Sequence, residues 1–329
     1  MRICVFGAGA VGGHIAGRLG AVGQHVSVIA RGEQLEAIRG RGLRVETRDG
    51  VLESTPYATA RPEELPSQHV VIVAVKAQSL PQIAAPLSRL LDDDTRVIFA
   101  TNGIPWWYFH GLRGPYAEER LPLLDPTGAL RDLVRPERAV GAVAYTAGTL
   151  LAPGVVRAEN PKNRLVIGRP DGQPDARLDE FAALLRPSGL EVTVDSRIRD
   201  AVWTKLVSNA IGGSLGALTA SAGRDILDKP ALSAFATAMG HEVVSIARKL
   251  GSNPGDPKPI LEKLAASTHL QSIAQDLLAE RPMEIDALLR APLALAEIAD
   301  VPVPHLQFIF ELLAQRARAA GAYRESLDI

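Results

Sequence analysis

Gly7-Ala8-Gly9-Ala10-Val11-Gly12 spells G-x-G-x-x-G. The motif follows an apolar run at residues 2–6 and opens a helically spaced stretch at 11–19, and strand-like alternation returns at 25–29. In that setting Gly7 permits a tight turn out of a strand. Gly9 lets the backbone approach a pyrophosphate, and Gly12 lets a helix pack close to a sheet. The amino end of the helix then faces the negative diphosphate. The second strand closes on Ile29-Ala30-Arg31. The forked donors of Arg31 suit a ribose 2′-phosphate and point to NADPH, whereas Glu33 would be the ribose acid of an NAD site. The cofactor candidates are therefore Gly7, Ala8, Gly9, Ala10, Val11, Gly12 and Arg31. Lys76 ends the apolar run 70–75, and Asn102-Gly103 follow the run 97–100. Ligands of open sheets gather at the carboxyl ends of strands, so Lys76 and Asn102 join the candidates, Asn102 as a cofactor or a substrate amide.

Lys205 and Asn209 are spaced i, i+4 in a stretch otherwise rich in Ala, Val, Leu and Ile. A lysine set among such residues suits proton donation to a carbonyl oxygen during hydride transfer. Partial burial would bring its pKa toward neutrality, and its charge would stabilise the developing oxyanion. The same spacing is also met by a lysine snorkelling at a helix rim. Residues 272–286 read as a polar, irregular stretch between helical runs. Ser272 there can bind a small anionic substrate, and Glu284 and Asp286 are further substrate candidates.

The elements that must position these groups change character along the chain. Continuous apolar runs at 70–75 and 97–100 suit buried parallel strands. A helix is expected over 80–91, with Pro81 and Pro86 as complications, and another over 176–185. Residues 42–57 read as a hairpin inserted in the sheet domain, with Asp49-Gly50 at the turn. Further short strands are expected at 141–148, 154–159, 165–168 and 191–194. From about 199 only helical spacing remains, at 200–212, 231–250, 260–266 and 306–320. The expected fold is α/β: an N-terminal Rossmann-like doubly wound sheet domain, residues 1–198, holding NADP, then an all-helical substrate and catalytic domain, residues 199–329.

Composition narrows the classes. The 329 residues carry 36 basic and 37 acidic side chains, which disfavours a nucleic-acid partner. A single cysteine, Cys4, excludes a disulfide framework within the chain and a cysteine-rich metal site. No metal is expected. Residues 3–16 are broken by glycines and His14 and do not read as a signal peptide, and no apolar run is long enough for a membrane span. A cytoplasmic location follows as the expectation, with a homodimer as the oligomer considered.

With these residues in place, the chain is similar over essentially its whole length to the ketopantoate reductase family (2-dehydropantoate 2-reductases). Lys205-Leu206-Val207-Ser208-Asn209 matches the family's K-L-x-x-N helix. Ser272, Gln275, Asp276, Arg281, Glu284, Ile285 and Asp286 match its S-x-x-Q-D…R-x-x-E-I-D segment. The resemblance implies a sheet domain and a helical domain with the active site in the cleft between them. It implies NADPH-dependent reduction of 2-dehydropantoate to (R)-pantoate, on the route to pantothenate and coenzyme A. It makes Lys205 the general acid and Asn209, Ser272, Glu284 and Asn102 the substrate binders. It places Lys76 and Asn102 near the nicotinamide and Arg31 on the 2′-phosphate. The sequence departs from the family at Gly213, where a second asparagine is expected, at Arg290, where glycine is usual, and in the aromatic run Trp106-Trp107-Tyr108. The alternatives are an NADPH-dependent reductase of a different small 2-oxoacid, to whose carboxylate Arg290 would contribute, and a nucleotide-binding sensor without turnover.

Overall fold

The computed structural model describes residues 1–117, 119–146, 148–158, 160 and 163–324. Contacts divide the chain into two compact units. The first comprises Met1–Thr101, Phe109–Glu118 and Thr127–Ile198, and the second Asn102–Tyr108, Glu119–Pro126 and Arg199–Ile329. A division at 198/199 leaves residues 102–108 and 119–126 with the sheet. Their packing groups them with the helices instead; in the first of the two, Tyr108 buries its ring edge to face with Trp203.

Among the described residues, the first unit holds twelve strands: β1 (Ile3–Phe6), β2 (Val26–Ile29), β3 (Leu43–Thr47), β4 (Gly50–Ser54), β5 (Tyr57–Thr59), β6 (Val70–Val73), β7 (Arg96–Phe99), β8 (Ala139–Tyr145), β9 (Gly148–Ala152), β10 (Val155–Ala158), β11 (Arg164–Gly168) and β12 (Glu191–Val194). Its helices are α1 (Ala10–Ala21), α2 (Gly32–Arg41), α3 (Leu80–Ser88) and α4 (Ala176–Leu185). The main sheet runs β12-β11-β8-β7-β6-β1-β2-β5. Its pairs are parallel apart from β8 with β11. The central strands β1 and β6 are buried along their whole length, which is why they read as unbroken apolar runs. The doubly wound sheet domain expected from the sequence is therefore present, with its order reversing beside β1.

The hairpin expected at 42–57 forms within the sheet domain, where it builds a second sheet. β3 and β4 pair antiparallel, β3 pairs parallel with β10, and β10 pairs antiparallel with β9, giving a separate sheet in the order β4-β3-β10-β9. This small sheet lies against α1, where glycines replace side chains. A Cβ on Gly17 would sit 2.4 Å from Val45 Cγ2, and one on Gly13 would sit 2.9 Å from Val156 Cγ2. The helix that carries the glycine turn is thus clasped between two sheets. The strand expected at 141–148 ends at Tyr145, and β9 starts at Gly148, with Ala147 outside the described residues. The strand expected at 154–159 is β10, and Glu159 also lies outside the described residues. Pro81 falls in the first turn of α3, where no backbone donor is needed; Pro86 lies inside the helix, which stops at Ser88.

The second unit is helical: α5 (Ile198–Ser208), α6 (Ser214–Thr219), α7 (Gly223–Leu227), α8 (Pro230–Lys249), α9 (Lys258–Ala265), α10 (Ser272–Leu278), α11 (Ala291–Ile298) and α12 (Pro304–Ala319). Two wide π turns interrupt it, Asn209–Gly213 after α5 and Asp286–Arg290 before α11. The stretch expected to be irregular at 272–286 is helical in its first half. Ile273, Ala274 and Leu277 bury one face of α10, and its polar residues obscure that pattern. No helix among the described residues is long and apolar enough to cross a membrane.

Candidate active site

In the first unit, Gly7 follows β1 with φ +99°, and its amide donates to Ile29 O at 2.9 Å. A Cβ on Gly12 would lie 1.8 Å from Gly7 O, so the turn and the helix close on each other. A Cβ on Gly9 would meet nothing within 4 Å. The backbone is therefore open at Gly9, where the sequence leads one to expect a diphosphate. Gly9 caps α1 without a side chain, and the first turn of the helix has no acidic residue, so this amino end suits a dinucleotide diphosphate. Ala8 is buried, and Ala10 and Val11 are half-buried in the turn and the start of the helix. Arg31 is exposed at the head of α2, two residues past β2, with Glu33 exposed in the first turn. Lys76 is half-buried beyond the end of β6.

One residue of this region escaped the sequence reading. Gln34 Nε2 donates to Ala8 O at 2.5 Å, while Gln34 Oε1 accepts from Gly154 N at 3.0 Å. It ties the glycine turn to α2 and to the small sheet. Nothing local in the sequence marks it, because both partners are distant in the chain.

In the second unit, Lys205 Nζ donates to Asn102 Oδ1 at 3.0 Å, and Asn102 Nδ2 donates to Glu284 Oε2 at 3.1 Å. An ammonium, an amide and a carboxylate thus stand in one row. Lys205 is supplied by α5, between the buried Trp203 and Leu206. Glu284, 8% exposed, precedes the π turn Asp286–Arg290. Burial lowers the Lys205 ammonium from 10.5 to about 8, and the Glu284 carboxylate opposes that shift. A lysine so placed can release its proton near neutral pH, and the amide oxygen orients its N–H bonds.

Asn102 belongs to a loop fixed at several points. Gly103 has φ +83°, and Ile104 N donates to Ala287 O at 2.8 Å. Trp107 and Tyr108 are 2% and 0% exposed, so they are core rather than lid. Arg199 lies over both rings, with its Cζ 5.8 Å and 5.7 Å from their centroids.

Asn209 and Ser272 are not members of the Lys205–Asn102–Glu284 hydrogen-bonded row. Asn209 opens the first π turn, and Ser272 is exposed at the start of α10. Gln271 Nε2 lies 3.3 Å from both Ser208 O and Ser208 Oγ, which brings the start of α10 beside Asn209. At Gly213 a Cβ would sit 2.5 Å from Ile273 Cγ2, so the backbone packs where the resemblance expects an asparagine side chain. Arg290 Nη1 lies 3.7 Å from Asp286 Oδ1, and that oxygen accepts from Tyr323 OH at 2.6 Å. Asp286 and Arg290 therefore hold each other. Asp276 Oδ1 likewise accepts from Arg281 Nε at 2.9 Å, shaping the turn that leads to Glu284.

A glycine turn on a doubly wound sheet and, in the second unit, a lysine hydrogen-bonded to an amide that is itself bonded to a carboxylate are the features of a nicotinamide-dependent oxidoreductase. The family model described as "Ketopantoate reductase PanE/ApbA" matches residues 3–172, and that described as "Ketopantoate reductase PanE/ApbA C terminal" matches residues 197–317. The chain belongs to the ketopantoate reductase family. A 2-dehydropantoate 2-reductase of Mesorhizobium japonicum is 37% identical over 98% of this chain and 100% of its own length. A structure from Ralstonia solanacearum MolK2, provisionally described as a ketopantoate reductase, superposes with a TM-score of 0.92 at 33% identity, covering 98% of this chain and 99% of that one. The 2-dehydropantoate 2-reductase structure from Geobacter metallireducens GS-15 gives 0.83 at 26% identity, covering 96% and 99%.

Proposed function

We propose that the protein reduces 2-dehydropantoate to (R)-pantoate with NADPH. The observation that carries this reading is the Lys205–Asn102–Glu284 row. When bound, NADPH would supply the hydride for the ketone carbon. The Lys205 ammonium faces the ketone oxygen, stabilises its growing negative charge and gives it a proton, so that the hydroxyacid leaves with one hydride and one proton added. Asn102 holds the ammonium in place. Glu284 accepts a hydrogen bond from a substrate hydroxyl, and Asn209 and Ser272 bind the oxoacid from the adjoining turn and helix. The glycine turn from Gly7 to Gly12 holds the diphosphate, Arg31 the 2′-phosphate, and Lys76 the nicotinamide end.

A second reading is favoured by the packing of Gly213 against Ile273, which leaves no side chain at that place. It is NADPH-dependent reduction of a different small 2-oxoacid. Consumption of NADPH, followed by absorbance with 2-dehydropantoate and with a panel of other 2-oxoacids, separates the two. Lys205→Ala and Arg31→Ala are assayed beside the wild type. Turnover of 2-dehydropantoate that collapses in Lys205→Ala, and a preference for NADPH over NADH that falls in Arg31→Ala, are expected. Better turnover of another acid moves the assignment to that acid. NADPH binding without turnover of any acid overturns the enzymatic reading.

A further inference from the structure

The run Trp106-Trp107-Tyr108 begins four residues after Asn102, and its role is written in its hydrogen bonds. Trp203 Nε1 donates to Tyr108 OH at 2.8 Å, with the two rings edge to face at 87°. Arg199 Nε donates to Tyr108 O at 2.8 Å. Trp203 and Tyr108 are both 0% exposed. Trp203 stands two residues before Lys205 on α5, so one helix holds both ends of the loop, Asn102 through Lys205 and Tyr108 through Trp203 and Arg199. Between them the Ile104 amide is bonded to Ala287 O, three residues past Glu284.

We propose that Tyr108 is a positioning residue for the proton donor: its phenol, anchored on Trp203, sets the loop that presents the Asn102 amide to Lys205 and Glu284. A tyrosine serving only the core needs its ring. The positioning role needs the hydroxyl as well, because the hydroxyl accepts from a donor on the same helix as the ammonium. Without it the buried indole N–H loses one of the bonds that fix the loop on the helix, alongside that from Arg199 Nε to Tyr108 O.

The inference rests on the reading of Lys205 as proton donor in its kinetic arm alone; its titration arm reads the protein without substrate. The chain has seven lysines, so with lysine ε-carbons labelled the Lys205 signal is assigned by its loss in Lys205→Arg and followed by NMR against pH. Tyr108→Phe is expected to lower the midpoint of Lys205 by about half a pH unit or more, since a displaced amide oxygen supports the ammonium less. Asn102→Ala is expected to lower it as well, and Tyr108→Phe to add nothing in that background. In turnover, Tyr108→Phe is expected to lose about fivefold to tenfold in kcat/KM for the oxoacid, with NADPH affinity unchanged. Should Tyr108→Phe fail to fold, Arg199→Lys loosens the other hold on Tyr108 and is read in the same way. An unchanged Lys205 midpoint in folded Tyr108→Phe, or an equal effect with and without Asn102, overturns the proposal. If no oxoacid is turned over, the functional reading fails while the titration still decides this one.

Discussion

Gly103 and Ala287 approach so closely that a Cβ on the glycine would lie 2.4 Å from the Ala287 carbonyl oxygen and 2.5 Å from its carbon. The neighbouring Ile104 amide bonds to that same oxygen. Gly103→Ala therefore meets both a backbone clash and a strained φ of +83°. A stability loss of about 2–4 kcal/mol is expected, read from the urea midpoint. A drop of more than about tenfold in kcat/KM is expected to accompany it, because Asn102 is the adjacent residue. A variant with wild-type midpoint and turnover would show that the loop is free to move away.

Lys205, lowered from 10.5 to about 8, has opposite consequences for reaction and for folding. As a general acid it must be protonated, so kcat/KM is expected to fall as pH rises through about 8. A profile flat to far higher pH would dismiss it. For folding, the unfolded chain binds the extra proton between about 8 and 10.5, so stability rises with pH across that window. Below it the ammonium costs about 2 kcal/mol, after discounting for partial exposure. Lys205→Met is accordingly expected to be inactive yet to unfold at higher urea than the wild type at pH 7.

Gln34 bridges Ala8 and Gly154 with two hydrogen bonds. Gln34→Leu keeps much of the volume and removes both, each bond being worth about 1 kcal/mol. NADPH dissociation measured by fluorescence titration is expected to rise about fivefold or more, with kcat at saturation unchanged. Wild-type affinity in this variant would mean that the glycine turn holds its shape unaided.

His14 is fully buried in α1 and accepts a hydrogen bond from Arg18 Nε at 2.5 Å. Burial and the Arg18 charge hold its pKa down, from 6.5 to about 3. The unfolded chain therefore takes up a proton that the folded one refuses, and stability falls as pH drops from about 6.5 toward 3. At pH 5 the loss is about 2 kcal/mol. His14→Gln keeps an acceptor for Arg18 and should flatten the decline in Tm between pH 7 and pH 5. An unchanged decline would assign the acid sensitivity to other groups.

Much of this was legible where the signal is local. The glycine turn and the spacing of Lys205 and Asn209 each fall within a few residues, and the strands on either side of the turn are marked by their own side-chain patterns. The small sheet was hidden because β3 pairs with β10, more than a hundred residues away. The π turns were hidden because an extra residue per turn leaves the composition unchanged. In α10, Ser272, Gln275 and Asp276 mask three buried apolar residues. Asn102 read as a sheet-end residue; its place with Lys205 depends on Tyr108 and Trp203, aromatic residues whose pairing no spacing rule encodes.

The second unit is assembled from Asn102–Tyr108, Glu119–Pro126 and Arg199–Ile329. No single break in the chain separates the two units. A recombination that exchanged everything after Ile198 for a relative's sequence would import a new lysine helix and leave the old amide loop behind. Asn102, Ile104 and Tyr108 would then face foreign versions of Lys205, Ala287 and Trp203. Inheritance of Lys205 and of its hydrogen-bond partner Asn102 is thus split across the gene, and changes at one end are expected to be matched by changes about a hundred codons away.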